Sequence, residues 1–482
     1  MYGTLDAAAG WAEDYTGTLV DGGFDKGGAS PCHFRHKEKN VNLLVHGDDF
    51  FAVGREGDLG HLKKTLEAKY ELKTQMIGPH PDDQKSMKVL GRIVSYHDWG
   101  IQYESDPSHL ELALKTMSMV GCKTVLTPWV KESVMSATER GAIQSRRNGG
   151  APPEGSKTPA RLPEEEVDGD MALDHEDSHR YMSVAARLNF VSLDQPRVMY
   201  SVKELMRKLT SPTRLDEIRL KRVLRFMSLQ PRVATRFLWE DISPVLKVEC
   251  DSDFAGCVRT RKSTSGGVIY WGKQYIKGWA KTCAVIALST GEAELAAIVR
   301  ASAEGLGLQS VLADFGQTVS LEVHSDATAA IGIVKREGLG RVRHLAVADL
   351  WIQQKQKLGI ISYHKVPGPL NSSDVLTKGL DAETMRRHLA TMSIRHETAE
   401  LFNIRRTADT IARAFKLLPG VCCVSTSNFK MVFSYTRAGS VRLSCSFTKP
   451  SPFPISASFS GVSVVSASTT SQIVCIDSTF KV

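Results

Sequence analysis

Apolar and polar residues change their spacing several times along this chain of 482 residues. In residues 1–130, the segment VNLLVHGDDFFAVG (Val41 to Gly54) predicts two short apolar strands around a polar turn. The segment GDLGHLKKTLEAKYEL predicts an amphipathic helix, because its apolar residues are three or four positions apart. These residues are Leu59, Leu62, Leu66 and Tyr70. MKVLGRIVSY predicts another strand, and SHLELALKTMSMVG predicts another helix.

The composition changes twice outside the clearest folded segment. Residues 131–179 are rich in Gly, Pro and charge without an apolar period, which predicts a flexible linker. Residues 180–240 return to a helical pattern, and the Lys and Arg beside its apolar stripe form either a solvated face or a duplex-backbone contact. Residues 400–482 are Ser-rich and lack a clear period, which predicts a poorly ordered tail.

Residues 245–395 show the clearest order of elements. Three strands (PVLKVECD, GGVIYWG and QYIKGWA) precede a long helix that begins at Ser289 or Thr290 and ends near Gly316. A strand (VSLEVHSD), a short helix (ATAAIGIVKREG), a longer helix (VRHLAVADLWIQQKQKLG), a strand (IISYHKVPG) and a last helix (SSDVLTKGLDAETMRRHLATM) follow. This order predicts an α/β fold with a mixed five-stranded sheet and flanking helices.

Composition and charge exclude only a few classes of function. The net charge of +8 permits nucleic-acid binding without requiring it. The nine cysteines have no CxxC or zinc spacing, which is typical of reduced intracellular thiols. The chain has no apolar run of about 18 residues and no secretory signal, so we expect no membrane span and a cytoplasmic or nuclear location.

Four carboxylates fall where the predicted elements of residues 245–395 would bring them together. Asp251 ends the first strand, Glu294 lies early in the long helix, Asp326 ends the fourth strand, and Asp374 begins the last helix. Each alone is explained by solvent exposure or by the helix dipole. Four converging carboxylates repel one another, so the cluster predicts two bound Mg²⁺ or Mn²⁺ ions of the kind that cleave phosphodiesters.

Six blocks in this part of the chain carry a family resemblance. They are CDSDFAG, TRKSTSGGVIYWG, LSTGEAELAA, HSDATAAI, RVRHL and SSDVLTKGL. In this order and spacing, over about 150 residues, they resemble the ribonuclease H domain of copia-type retrotransposon polyproteins. The resemblance implies a ribonuclease H-like fold and cleavage of the RNA strand of RNA/DNA hybrids.

The same resemblance assigns residues. It places the family's D-E-D-D metal set on the four carboxylates named above. Asp253 and Glu292 are the alternatives; Asp251 is preferred because it ends the strand, and Glu294 because ELAA matches the pattern of the wider ribonuclease H group. His344 either aids product release or is structural, and Ala346 stands where the family usually has an acid.

The upstream half resembles copia-type reverse transcriptase. MYGTLDAAAGWAEDY, GGFDKGGASPCHF, LLVHGDDFFAVG, KVLGRIV and LTPWV look like its palm, and HRYMSVAARLNFVSLDQPRVMYSV looks like thumb or connection sequence. HGDDF stands where the family has YVDD, which makes Asp48 and Asp49 metal ligands by resemblance, although alone they indicate a solvated turn. In the family the strand with a further metal aspartate lies before this block, and the early acids Asp6, Asp14, Asp21 and Asp25 do not sit on an apolar strand. We therefore expect a truncated palm (1–130) that does not polymerise DNA.

Partners follow from the same reasoning. An RNA/DNA hybrid is the expected substrate, and association with full-length Pol proteins is a second expected contact. Four residues after the first strand either contact the nucleic-acid backbone or form an ordinary basic loop. They are Arg259, Arg261, Lys262 and Ser263. The rival hypothesis is a decayed transposon relic that binds nucleic acid without catalysis. An integrase or Holliday-junction nuclease is less favoured, because of the STGEAE and SSDVLTK blocks.

Overall fold

The computed structural model describes residues 6–79, 81, 83–130, 171–338, 340, 347–396, 429–432, 444–447 and 472–480. His344 and Ala346, most of the predicted linker and most of the Ser-rich tail lie outside the described residues. The described part holds three sheets and the helices that pack on them. No helix in the described ranges combines the length and apolar character that crossing a bilayer requires.

The first 130 residues build most of two of these sheets. The elements are α1 (Ala7–Asp21), β1 (Asp25–Lys26), β2 (His33–His36), β3 (Val41–His46), β4 (Asp49–Arg55), α2 (Glu56–Glu67), β5 (Tyr70–Ile77), β6 (Ser86–Val89), β7 (Arg92–His97), β8 (Gly100–Ser105) and α3 (Ser108–Thr116). The predicted hairpin over Val41 to Gly54 is confirmed as β3 and β4, which pair antiparallel with His46 opposite Asp49.

Two predictions in this region were wrong at element boundaries. The predicted helix through Tyr70 ends at Glu67, and Tyr70 begins β5 instead, where its ring is buried. Its spacing from Leu66 fits a helix, but tertiary packing decides the backbone at this point. MKVLGRIVSY forms two antiparallel strands rather than one, since Leu90 and Gly91 both adopt positive φ and turn the chain between them.

A helical layer follows the residues omitted from description. It consists of α4 (His175–Ser192), α5 (Pro196–Met206) and α6 (Arg214–Leu229), and it leads into β9 (Val233–Leu238). Helix α4 begins inside the predicted linker because Asp174 caps it, accepting a hydrogen bond from the Asp177 amide at 2.8 Å. The predicted helical pattern of residues 180–240 is confirmed, apart from β9.

The third sheet contains the elements predicted for residues 245–395. They are β10 (Val245–Ser252), β11 (Thr264–Trp271), β12 (Gln274–Thr282), α7 (Thr290–Asp314), β13 (Ser320–Ser325), α8 (Thr328–Lys335), a 3₁₀ turn (Val347–Leu350), α9 (Trp351–Lys357), β14 (Ile361–Lys365), 3₁₀ turns at Gly368–Leu370 and Ser372–Leu376, α10 (Ala382–Thr391) and β15 (Ile394–His396). The strand order is β12-β11-β10-β13-β14. β10 is antiparallel to β11 but parallel to β13, and β14 is parallel to β13, so the predicted mixed α/β sheet is confirmed.

Helix α7 lies against this sheet and carries Glu294. Ser289 caps it, and Gly305 lets it approach β13 closely, because a Cβ at Gly305 would lie 2.7 Å from Leu321. The predicted last helix was wrong in its extent. The segment after β14 forms the 3₁₀ turn Ser372–Leu376 and then the separate helix α10, which Asp381 caps.

The units pack on one another through shared cores. One cluster joins Phe51 and Ile77 of the first sheet to Leu246 and Trp271 of the third. Three further strands, β16 (Phe429–Val432), β17 (Ser444–Phe447) and β18 (Gln472–Phe480), lie in the Ser-rich segment and pair with β4 and β5. The sequence did not predict these strands.

Candidate metal centre

Asp251 and Asp326 meet because their strands are parallel neighbours. Cys250 of β10 is paired with Ser325 of β13, and each aspartate is the next residue along its chain. Glu294, on the second turn of α7, reaches the same edge of the sheet. One ligand oxygen from each of the three residues lies within 4.8 Å of the other two. The predicted convergence of these three carboxylates is therefore present in the structure.

Glu294 is the carboxyl group of this cluster whose charged form is most disfavoured. It is only 6% exposed, and its Oε2 is buried without a hydrogen-bond partner. Burial, followed by the charges of Asp251 and Asp326, raises the pKa of Glu294 to about 9, although a backbone hydrogen bond at Ser252 opposes the shift. A buried carboxylate oxygen without a donor, facing two other carboxylates, fits a divalent cation.

Asp374 lies beside this group rather than within it. It is on the 3₁₀ turn Ser372–Leu376, where the sequence predicted the first turn of the last helix. Burial, then the charge of Asp251, raises the pKa of Asp374, and the two carboxyl groups also share a hydrogen bond. The structure therefore brings Asp374 against Asp251, outside the group of three that Asp251, Glu294 and Asp326 form.

Lys378 lies between these two aspartates. Its Nζ is 2.7 Å from Oδ1 of Asp374 and 3.4 Å from Oδ2 of Asp251. The hydroxyl of Thr377, which is fully buried, donates to the same Oδ2 of Asp251. On this side of the site, the ammonium group of Lys378 thus already offsets part of the negative charge, and the Thr377 hydroxyl supplies a hydrogen-bond donor.

Buried polar contacts fix the turn that carries Asp374 and leads to Lys378. Asn371 Nδ2 donates to the carbonyl oxygen of Cys250 at 2.9 Å, one residue before Asp251. The Ser372 amide and hydroxyl both donate to Oε2 of Glu249, the amide at 3.0 Å. These contacts attach the turn directly to β10, so the spacing between Asp251 and Asp374 is set by backbone and side-chain hydrogen bonds.

The alternatives Asp253 and Glu292 have other partners. Asp253 accepts a hydrogen bond from the Thr264 amide and closes the loop after β10; burial raises its pKa to about 6. Glu292 accepts from the Leu288 amide at 2.8 Å and from the Ser289 hydroxyl at 2.9 Å, while Ser289 caps the Glu292 amide. Glu292 thus takes part in the hydrogen bonds that close the N-terminal turn of α7. Neither residue belongs to the three-carboxylate group.

The four residues predicted to contact nucleic acid differ in their solvent exposure. Arg259 and Arg261 are exposed, and Lys262 is half-buried. Ser263 is only 1% exposed, and its hydroxyl accepts a hydrogen bond from the Ala255 amide at 3.0 Å. Ser263 therefore supports the loop from inside, and the prediction that it contacts nucleic acid does not fit its burial.

Asp48 and Asp49 lie at the hairpin between β3 and β4. Gly47 opens the turn with φ +63°, and its carbonyl accepts from Trp11 Nε1 at 2.7 Å. Asp48 is exposed and Asp49 is half-buried. In the described part of the chain, Asp48 and Asp49 are in no group of three or more ligand side chains close enough to share an ion.

Sequence reasoning missed Asn371, Thr377 and Lys378. All three are in or next to the SSDVLTKGL block, and Lys378 is four positions after Asp374. An acid and a lysine four apart indicate a local ion pair. That signal was present in the sequence.

Known proteins share extended similarity with this chain. It is 24% identical over 385 residues to the retrovirus-related Pol polyprotein from transposon TNT 1-94 of Nicotiana tabacum, an alignment that covers 78% of this chain and 26% of that protein. It is 23% identical over 385 residues to the retrovirus-related Pol polyprotein from transposon RE2 of Arabidopsis thaliana, covering 79% of this chain and 24% of that protein. An uncharacterized mitochondrial protein of Arabidopsis thaliana is 28% identical over 231 residues, which are 45% of this chain and 80% of that protein.

Solved structures give weaker likenesses. RNase H1 from the halophilic archaeon Halobacterium salinarum NRC-1 matches with a TM-score of 0.19 and 19% identity, covering 27% of this chain and 93% of that chain. The foamy viral protease-reverse transcriptase in complex with dsDNA matches with a TM-score of 0.38 and 13% identity, covering 76% of this chain and 60% of that chain.

No protein-family model matches the chain. The chain spans about a quarter of the length of the Pol polyproteins that it matches. These polyproteins nevertheless match most of its own length, in agreement with the copia-type resemblance of its sequence blocks. The chain is a homologue of the retrovirus-related Pol polyproteins of plant transposons.

Proposed function

We propose that residues 245–395 form a ribonuclease H-type domain that hydrolyses the RNA strand of RNA/DNA hybrids with two Mg²⁺ or Mn²⁺ ions. The observation that supports this most directly is the group formed by Asp251, Glu294 and Asp326, with the buried and unpartnered Oε2 of Glu294. The homology to Pol polyproteins supports the same assignment, because a retroelement that copies RNA into DNA passes through such a hybrid.

Different residues of this site would hold the two ions. Asp251, Glu294 and Asp326 would hold one ion, and Asp251 with Asp374 would hold the other. The bound ions would activate water and stabilise the charge that develops on the phosphate. Burial of Asp251 and Glu294 strengthens their interaction with cations, because the local dielectric is lower than that of water. Asp326 is half-buried and leaves one side of the group open to solvent.

The proposed substrate is distinguished by its 2′-hydroxyls, which let a protein tell the RNA strand from DNA across the minor groove. Arg259 and Arg261, exposed on the loop that follows β10, support this proposal as contacts for the duplex backbone. We also propose that residues 1–130 and 180–240 correspond to palm and to thumb or connection sequence of reverse transcriptase.

The test is cleavage of a labelled RNA/DNA hybrid by the full chain in Mg²⁺ or Mn²⁺. We expect 3′-hydroxyl and 5′-phosphate products from the RNA strand, and loss of cleavage in Asp326→Asn and Glu294→Gln. Glu292→Gln is the matched control, since it removes the same charge two residues away from Glu294 and should retain cleavage. Full cleavage by Asp326→Asn would contradict the metal assignment.

The rival function is binding without catalysis, as in a decayed transposon relic. It predicts that the wild-type chain binds hybrid but cleaves none, and that Mn²⁺ leaves its melting temperature unchanged. A cleaving wild type together with Mn²⁺-dependent stabilisation would exclude it.

We further propose that the Asp48–Asp49 pair does not support polymerisation in this chain. Two-metal phosphoryl transfer needs several converging ligands, and the group of three metal-ligating side chains in the described residues is Asp251, Glu294 and Asp326 rather than a group at this hairpin. Primer extension on an RNA template by the purified chain measures this directly, and sustained nucleotide incorporation would refute it.

A further inference from the structure

The negative charge of the carboxylate cluster has a nearby cation on one side and an unpartnered oxygen on the other. On one side, Glu294 Oε2 is buried with no hydrogen-bond partner. On the other side, Lys378 Nζ contacts both Asp251 and Asp374, at 3.4 and 2.7 Å. The acidic group therefore has one half with an unpartnered carboxylate oxygen and another half that already contains a cation of the chain itself.

The position of Lys378 differs from that of an ordinary surface lysine. Its side chain is 39% exposed, but the side chains of Asp251 and Asp374 are only 4% and 19% exposed. Thr377, the preceding residue, donates to the same Asp251 oxygen, so two consecutive residues converge on it. The ion pair thus crosses from the turn to strand β10 in a largely buried setting, where charges interact more strongly than at the surface.

A divalent ion bound between Asp251 and Asp374 would lie against the ammonium group of Lys378, which contacts one oxygen of each carboxylate. The ammonium group and the ion repel each other, and both cannot lie against the same two carboxylate oxygens. An ion bound by Asp251, Glu294 and Asp326 meets less of this conflict, because Lys378 acts on Glu294 and Asp326 through its charge whereas its ammonium group contacts Asp251 and Asp374 directly. The two positions should therefore differ in affinity.

We propose that Lys378 is an internal counter-ion that the second metal ion must displace, so that the two ions bind in a fixed order and with unequal affinity. This inference rests on the metal site of the proposed function. The first ion binds at Asp251, Glu294 and Asp326 with Lys378 in place. The second binds at Asp251 and Asp374 only after the ammonium group has moved away. Lys378 is in this sense a positioning residue that sets how much metal the complete site requires.

The experiment is a calorimetric titration of the full chain with Mn²⁺, in the absence of nucleic acid. For the wild type we expect one tight and one weak binding step. Lys378→Gln should strengthen the weak step by at least about tenfold, which corresponds to about 1.4 kcal/mol, and should leave the tight step within about threefold. Lys378→Arg keeps the charge and should keep the weak step weak.

Lys365→Gln is the matched control. Lys365 is exposed on β14, donates to Thr328 at 2.8 Å and acts on Asp326 only through its charge. It removes one positive charge near the cluster without vacating the Asp251–Asp374 position, so it should not strengthen the weak step selectively. A purely structural role for Lys378 would lower the melting temperature of Lys378→Gln in EDTA but would leave both Mn²⁺ affinities unchanged.

Several outcomes separate this inference from the proposed function. Two equal Mn²⁺ steps in the wild type would overturn the counter-ion role even if Lys378→Gln failed to fold. Absence of any Mn²⁺ binding would overturn both. A strengthened second step without cleavage of hybrid would support the counter-ion role and refute the proposed substrate.

Discussion

Asn371 is the residue whose removal should most clearly uncouple the turn of Asp374 from the strand of Asp251. It is fully buried and links the two by donating from Nδ2 to the Cys250 carbonyl at 2.9 Å. Its Oδ1 accepts from the amide of Ser373 at 3.3 Å and also from the Ser373 hydroxyl. We predict that Asn371→Ala loosens this turn and weakens metal binding at Asp374.

The expected magnitude follows from these contacts. A buried hydrogen bond contributes about 1 kcal/mol net, and a buried polar group left without its partner costs about 1–3 kcal/mol. The substitution removes one bond to Cys250 and leaves the Ser373 groups without their acceptor. The free energy of local opening around Ser372–Leu376 should therefore fall by about 2–3 kcal/mol.

Native-state hydrogen exchange measures this opening, and the Ser372 amide, which donates to Glu249, is the appropriate probe. Asn189→Ala is the control, because Asn189 is exposed on α4 and its truncation should change stability by less than about 0.5 kcal/mol. The weak Mn²⁺ step should also become weaker in Asn371→Ala. If exchange at Ser372 changed by less than about 0.5 kcal/mol and Mn²⁺ affinity stayed the same, the coupling argument would be refuted.

Three further predictions concern the helix that carries Glu294. Because burial and then two carboxylate neighbours raise the pKa of Glu294 to about 9, cation binding must release its proton, so Mn²⁺ affinity should rise about tenfold per pH unit from pH 7 to 9. A flat affinity profile would contradict this. The metal-free protein should also lose stability as the pH rises from about 5 to 9, which urea denaturation in EDTA measures. Glu292→Gln should cost about 1 kcal/mol in urea denaturation, because it removes a negative charge from the N-terminus of α7 and weakens the acceptor for the Leu288 amide and the Ser289 hydroxyl, without changing Mn²⁺ affinity. Asp314→Ala should speed amide exchange at residues 28–30 about tenfold or more, because its carboxylate accepts from those three amides; unchanged exchange would refute it.

The periodicity of the sequence predicted the elements of residues 245–395 better than their boundaries. Apolar runs predict the strands, and a capping residue predicts the start of helix α7, so the local sequence is enough to find these elements. The segment after β14 was predicted as one helix. Gly379 and the capping residue Asp381, which accepts from Glu383 and Thr384, mark the true start of α10.

The convergence of the carboxylates could be inferred only in part. Asp251 and Asp326 meet because β10 and β13 are adjacent and parallel, and local periodicity does not reveal which strands are neighbours. The family resemblance supplied that order. The sequence preferred Asp251 over Asp253 because Asp251 ends the strand, and Glu294 over Glu292 because of the ELAA pattern. Hydrogen bonding adds a physical reason, because each alternative residue is engaged in closing a loop or the first turn of a helix.

The helical segment upstream of the sheet also supports the site. Lys203 on α5 donates to the Thr264 hydroxyl at 2.8 Å, where the loop after Asp251 enters β11. Arg207, one turn later, donates to Thr260 within the same loop at 3.3 Å. Leu205, on the same helix, shares a core with Val375 of the turn that carries Asp374. Residues 180–240 therefore buttress both the basic loop and the Asp374 turn. Removing them would expose apolar surface and release the loops that position the carboxylates, so the metal centre belongs to the packed assembly of both segments.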